Sequence, residues 1–343
     1  MVIGVLTGGG DCPGLNAVIR GVVRKSIEHY NYDVLGIKNG WEGLIEGDVE
    51  PMSLYSVSGI LHLGGTILGT SRTNPLAKRE YLHRIKENIN KYGLDAIIAI
   101  GGDDTLGAGF KLSETGINVI GVPKTIDNDI PGTDYTFGFH TAVAIATEAI
   151  DRLHTTAESH HRIMVIEVMG RSAGWIAVMS GIAGGADNIL IPEFPFTMED
   201  VCEKIRKRHA RGKNFSIVVV AEGAKPVGVE ELVTQDDEVD EFGNVRLGGI
   251  AHLIGKKIRE TTGMDTRVTI LGYVQRGGSP TPYDRILATR FGVKAAELAH
   301  QGNFGKMVAL RGTKIMPIDL NEAIGEPKRV PKELYEIASV FFG

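Results

Sequence analysis

The stretch PKTIDND at residues 123–129 gathers a lysine, a threonine hydroxyl and two carboxylates. A carboxylate that can take a hydroxyl proton, beside a cation that can balance phosphate charge, is the equipment of phosphoryl transfer. An Asx-rich turn would have the same composition and no chemistry. GGDDT at 101–105 sets Asp103 against Asp104. Such a pair is costly unless a cation or a buried partner neutralises it. Mg2+ against phosphate oxygens suits one of these carboxylates, since it takes few protein carboxylates plus phosphates and water. The alternative is a solvated turn. GGGDCPG at 8–14 leads into a helix-like stretch. Its glycines let backbone N–H groups close on an oxyanion at a helix N-terminus. It has neither the Gly-Lys-Ser/Thr of a P-loop nor the spacing G-x-G-x-x-G. Cys12 reads as a small filler, because no His or Asn constellation accompanies it.

Arginines form the third class. Arg72 sits in GTSRTN, Arg162 follows His160-His161, Arg171 ends VMGR, and Arg267 and Arg276 lie near the two ends of RVTILGYVQRGG. The planar guanidinium fork suits a doubly charged phosphate. Singly each reads as a surface residue; several at strand ends of a net-acidic chain read as a recruited anion site. The adjacent histidines lack helical ligand spacing and read as structural.

The elements that position these groups are short β-branched runs, each ending in glycine or polar residues. They are VIGVLT at 2–7, DAIIAI at 95–100, NVIGV at 118–122, IMVIEVMGR at 163–171, FSIVVVAEG at 215–223 and RVTILGYVQRGG at 267–278. Nearly uniform apolar character predicts parallel strands covered on both faces. Alternation with helical stretches predicts a doubly wound α/β architecture. The chemistry-bearing clusters all follow strands, which places them at the carboxyl edge of a sheet, where ligands bind. That spacing predicts one large site between two lobes. A helix over 141–160 separates the first unit from the next. Residues 224–247, with Asp236, Asp237, Glu238, Asp240 and Glu241, read as a solvated hairpin or surface insertion without chemistry.

Composition narrows the partners. The 343 residues carry a formal charge of −5, which argues against nucleic acid or a membrane surface as partner, because those need a basic face. Glycine, at 45 residues, is about twice its usual share, so some of the backbone approaches a ligand closely or adopts positive φ. Two cysteines cannot form a disulfide framework and suit a reducing compartment. No apolar run approaches the ~18 residues of a membrane span, and the N-terminus lacks the basic start of a signal peptide. The expectation is a soluble cytoplasmic protein.

GGGDCPGLN, GGTILGTSRT, GGDDT, PKTIDND, MGRSAGW, AEG and QRGGSPTPYDR follow one another in the order found in phosphofructokinases. The resemblance runs from about Val2 to Phe304. It implies two similar doubly wound three-layer α/β lobes with largely parallel sheets and the site in the cleft between them. Residues 1–139 plus about 277–305 would form the lobe for the phosphoryl donor and Mg2+. Residues 140–276 plus about 306–343 would form the fructose 6-phosphate lobe. In this family the sugar's 1-hydroxyl attacks the donor's terminal phosphoryl group. By resemblance, Asp127 is the general base, with Thr125 and Ile126 beside it against the sugar. Asp103 and Asp129 look like the Mg2+ carboxylates. Gly10, Gly102, Asp104 and Lys124 look like the donor site, and Arg72 and Arg171 the groups that offset charge on the transferring phosphoryl. Met169, Gly170, Arg171, Glu222, Tyr273 and Arg276 look like the sugar-phosphate pocket. Arg162 and Arg267 correspond to arginines that reach a neighbouring subunit's site, which implies a homodimer or homotetramer.

Two positions depart from the familiar ATP-dependent members, which carry GGDGS and PGTIDND: Asp104 and Lys124 each replace a glycine. A carboxylate at 104 puts charge and volume where the α-phosphate of ATP would pass. Lys124 adds a cation near the reacting phosphates. Together they resemble the pyrophosphate-dependent members, whose reaction is reversible. Some ATP-using relatives also carry PKTIDND, so the donor expectation rests on Asp104. The rivals are an ATP-dependent member and a non-catalytic phosphosugar-binding regulator, although Asp103 and Asp127 are both present. NAD and lipid kinases share GGDGT-like turns but lack MGRSAGW and QRGGSPTPYDR.

Overall fold

The structure, a computed structural model, describes residues 1–229 and 232–343, leaving aside the side chains of 235–239 and of Arg246. Strand and helix alternate from the start: β1 (Val2–Thr7), α1 (Leu15–Tyr30), β2 (Asp33–Ile37), α2 (Trp41–Glu46) and β3 (Val49–Met52). Then follow α3 (Arg79–Tyr92), β4 (Ala96–Gly101), α4 (Asp103–Ser113), β5 (Val119–Thr125) and the short β6 (Phe137–Gly138). α5 (Phe139–His160) opens a second series: β7 (Ile163–Val168), α6 (Trp175–Ala183), β8 (Asn188–Leu190), α7 (Met198–Ala210) and β9 (Ser216–Ala221). A hairpin of β10 (Thr234–Val239) and β11 (Val245–Leu247) precedes α8 (Ile250–Thr262) and β12 (Thr266–Ile270). The chain closes with α9 (Pro282–His300), β13 (Lys306–Arg311), β14 (Lys314–Asp319) and α10 (Lys332–Ser339).

The strands form two main sheets. The first has the order β14-β13-β5-β4-β1-β2-β3, with β6 beside β5, and the second the order β12-β7-β9-β8. Pairings from β13 through β2 are parallel, as are all those of the second sheet; β14 and β3 are antiparallel edges. The uniformly apolar runs are the reason. β4, β5, β7 and β9 are buried at every residue, which only a sheet covered on both faces can provide.

Several strand limits differ from the sequence expectation. The run 163–171 leaves the strand after Val168 because Gly170 and Arg171 take φ of 147° and 53°, outside any strand geometry. The run 267–278 ends at Ile270, and Gly272–Arg276 coils into a 3-10 turn. Residues 306–319 were expected in the second lobe, yet β13 pairs with β5, Met307 opposite Gly121, and carries β14 with it. Only later does α10 cross to pack on α6 and β8. The hairpin expected within 224–247 is present, with Thr234 opposite Leu247 and Val239 opposite Val245. The side chains of Asp236, Asp237 and Glu238 lie outside the described ones.

Parallel register is what aims the motifs. Leu6 stands beside Ala99, and Gly101 beside Pro123, so β1, β4 and β5 release their loops at one edge. In the second sheet Ile270 pairs with Glu167, and Val168 with Ala221, so β12, β7 and β9 do the same.

α9 seats the first lobe. Its start is fixed by Thr281, whose side chain accepts from Asp284 N, with Pro282 in the first turn; both devices satisfy or dispense with a free N–H. Asp284, fully buried, accepts from Thr141 N at 2.7 Å and Thr141 Oγ1 at 2.6 Å, tying α9 to the start of α5. Farther along, α9 presses its backbone against α1. A Cβ at Gly292 would lie 2.4 Å from Val18 O, and one at Gly21 would lie 2.9 Å from Thr289 O. Gly292→Ala must force these helices apart, so we expect a loss of about 1–3 kcal/mol, read as a lowered Tm in a thermal melt.

Candidate active site

Loops from the two carboxyl edges meet around an open cavity. The first lobe contributes Gly9 and Gly10 after β1, Gly102 to Thr105 after β4, and Lys124, Thr125 and Asp127 at the end of β5. The second contributes Met169 and Arg171 after β7, Glu222 after β9, and Tyr273 and Arg276 after β12. Arg72 joins from the long segment between β3 and α3.

Asp127 is 7% exposed, and its Oδ1 is buried without a hydrogen-bond partner. Its backbone N–H donates to Thr125 Oγ1 at 3.0 Å, which fixes the turn. A buried, unmatched carboxylate oxygen in a cavity wall is costly, and a hydroxyl donor would satisfy it. Lys124 is equally withdrawn at 3% exposure, and its Nζ donates to Gly10 O. Burial pulls its ammonium below the ordinary lysine value, and the second cation Arg276 adds to this, while Asp127 and Asp103 act in the other direction. An anion seated beside it would restore that charge.

Arg276 crosses from the second lobe to the glycine loop. Its Nη1 donates to Asp11 O at 3.3 Å, and a Cβ at position 10 would stand 2.8 Å from that nitrogen. Glycine at 10 therefore lets an arginine of one lobe lie across the loop of the other. Arg171, held at φ 53°, donates Nη1 to Asp103 Oδ2 at 3.0 Å and its backbone N–H to Glu222 Oε1 at 2.9 Å. Asp103 and Asp104 open α4, where the helix field favours negative charge. Even so, burial and then Asp103 push the Asp104 carboxyl up to about 6. Burial, with Asp127 as the next cause, pushes Glu222 up to about 7.

The hairpin is not a bystander, contrary to expectation. Its turn carries Asp240 and Asn244 into the cavity wall. Asp240 Oδ1 accepts from the backbone of Phe242 and Asn244, and its Oδ2 takes Arg72 Nη1 at 3.2 Å. Asn244 donates Nδ2 to Asp104 Oδ2 at 3.0 Å and accepts from Arg171 Nη2. Turn chemistry alone was visible in EFGN; nothing local says that the turn folds back over a distant loop. Glu167 was also missed. It accepts from Gly249 N at 2.8 Å and Ala251 N at 2.9 Å, anchoring the start of α8 behind the hairpin. A lone carboxylate in the apolar run IMVIEV was the available signal.

Residues 2–299 match the family described as Phosphofructokinase. The chain belongs to the phosphofructokinase family. A Streptomyces coelicolor protein named "Pyrophosphate--fructose 6-phosphate 1-phosphotransferase" is 56% identical over 344 residues, covering both chains in full. A Mycobacterium leprae protein named "ATP-dependent 6-phosphofructokinase" is 51% identical over 346 residues, again covering both in full. The solved Saccharomyces cerevisiae phosphofructokinase matches with a TM-score of 0.81 at 32% identity, covering 99% of this chain and 46% of that one. This chain thus spans about half the length of the yeast chain.

Not every expected residue of this phosphofructokinase reaches the cavity. Ile126 is fully buried in the core, and Gly170 shapes its turn without lining the wall. Asp129 lies behind the wall, 7% exposed; burial, then Asp127 and Asp103, raise its carboxyl. Arg162 and Arg267 converge instead on Asp265, at the amino edge of the second sheet. Cys12 is a buried thiol pushed up to about 12 by burial, in keeping with a filler. Among the described residues no cage of His, Cys, Asp and Glu is ready for a metal, and the family's Mg2+ does not require one. It takes few carboxylates and completes its shell with phosphate and water. The mutual repulsion among Asp103, Asp127 and Asp129 is what such a cation would relieve.

Glu222 gives a pH-dependent test. Its folded-state value of about 7 lies above the ordinary 4.5, so the folded chain holds this proton more tightly than the unfolded one. That stabilisation is complete below about pH 4.5 and is lost as pH rises through about 7. Glu222→Gln should therefore be more stable than wild type above about pH 8, by roughly 3 kcal/mol and with a higher Tm, and match it near pH 4.

Proposed function

We propose that the chain transfers a phosphoryl group reversibly from pyrophosphate to the 1-hydroxyl of fructose 6-phosphate, giving fructose 1,6-bisphosphate and phosphate. The observation that carries this reading is the orphan Oδ1 of Asp127, in a cavity wall shared by Gly10, Lys124 and Arg72 of the first lobe and Met169, Glu222 and Arg276 of the second. It accepts the hydroxyl proton as the sugar oxygen bonds to phosphorus and the bond to the bridging oxygen breaks. Lys124, Arg72 and Arg171 offset charge on the phosphoryl group and on the departing phosphate. To do so the arginines exchange their present partners, Asp240, Asp103 and Asn244, for donor oxygens. Asp103, at the cavity wall, would hold Mg2+, with Asp129 behind it adding negative charge, and the cation would neutralise phosphate charge when bound.

Relatives named for either donor stand at similar identity, so the donor is argued from the site. Asp104 carries a carboxylate into the donor side, and Asn244 caps it. Both favour a short donor without a nucleoside. Arg162 and Arg267 would complete a neighbouring subunit's sugar-phosphate site, which their position far from this chain's own cavity supports. No helix among the described residues is long and apolar enough to cross a membrane, and the cytoplasmic setting stays part of the proposal.

Release of phosphate with fructose 6-phosphate present should be robust from pyrophosphate and weak or absent from ATP. Turnover with ATP alone would overturn the donor assignment. Asp127→Ala should lower kcat by about 100- to 10,000-fold, on the scale of general-base catalysis, in the same coupled assay. Near-normal turnover would remove Asp127 from that role.

A further inference from the structure

Asn128, between the base Asp127 and Asp129, is fully buried with φ 53°, a left-handed conformation that costs a non-glycine residue energy unless its surroundings impose it. Within the loop, Thr136 N–H donates to Asn128 Oδ1 at 3.2 Å; the remaining support comes from residues 328–330, beyond the end of the family match at residue 299. Lys328 Nζ donates to Asn128 Oδ1 at 3.0 Å, Thr133 O at 2.8 Å and Asp134 O at 2.8 Å. Every ammonium proton thus has an acceptor on the loop that carries the base. Lys328 N–H also donates to Asp129 O at 2.7 Å.

The same three residues hold the opposite lobe. Trp175 Nε1 donates to Lys328 O at 2.8 Å, and its ring lies 5.3 Å from the ammonium. Arg329 donates to Ser172 O at 3.1 Å. Glu193 Oε1 accepts from Val330 N at 3.1 Å and from Gly174 N at 2.9 Å. Ser172, Gly174 and Trp175 belong to the turn that presents Met169 and Arg171 to the cavity.

We infer that Lys328 and its neighbours form a positioning strap, which sets the Asp127 loop of one lobe against the Arg171 turn of the other. Lys328 touches neither substrate nor reacting atoms; it acts through Asn128. A shift of about 1 Å between base and acceptor can cost roughly 100-fold in rate, while binding contacts elsewhere in the cavity survive. The inference rests on the phosphotransfer reading, and wild-type turnover with pyrophosphate and with ATP tests that reading separately.

The test compares wild type with Lys328→Met, Trp175→Phe and the double variant, well below each one's Tm, using whichever donor wild type turns over. Lys328→Met should lower kcat by about 10- to 100-fold, with KM for both substrates within about threefold. Trp175→Phe, which keeps an aromatic face but loses the N–H and part of the ring, should lower kcat several-fold. The double variant should fall short of the product of the two effects, because both act through one strap. A lowered Tm with kcat unchanged would make the segment a structural staple only and overturn the inference, as would raised KM with kcat intact or multiplicative effects. If Lys328→Met does not fold, the kcat and KM of Trp175→Phe decide.

Discussion

Like charge crowded at low solvent access is the constraint on which this molecule turns. Asp103, Asp104, Asp127, Asp129 and Glu222 face or back one cavity, and several raise one another's proton affinity. Burial and neighbouring carboxylates raise Asp104, Asp129 and Glu222 above the ordinary carboxylate range. The cations that hold them come from far apart in the chain: Lys124 from the same loop, Arg171 and Arg276 from the second lobe, Lys328 from the terminal segment. The contacts that join the two lobes are also contacts that neutralise the acids.

The same balance explains how the site can accept a phosphate compound. Arg72 and Arg171 are occupied by carboxylate and amide oxygens of this chain. Those contacts hold the guanidinium groups in place and are exchangeable for phosphate oxygens of similar geometry. The hairpin is the placeholder: Asp240 and Asn244 present oxygens on the donor side where a phosphate's could lie.

Much of this was legible in the sequence, for physical reasons. Uniformly apolar runs such as IMVIEV and SIVVVA could only be two-faced strands, and parallel strands oblige their loops to one edge. Asp127, Asp103, Asp104, Lys124 and Arg171 therefore came together as expected. What stayed hidden were long-range contacts without a local signature. Asn244 meets Asp104 across 140 positions, and Lys328 meets Asn128 across 200. Neither position has a pattern that separates it from surface turn chemistry. Ile126 shows the opposite limit: membership of a motif places a residue near the site, while its side chain follows the core.

β13 has a role that its distance from the cavity conceals. It pairs with β5 at Ile120 and Gly121, while β6 pairs at Lys124 and Thr125, so the strand that delivers these two residues has a neighbour on both sides. A chain released from the ribosome before residue 306 has no such cover. Its β5 would be open over the first residues, around Ile120 and Gly121, an exposed strand edge of the kind that recruits strands from other molecules. Residues 306–311 thus close the side of β5 that would otherwise invite another molecule's strand.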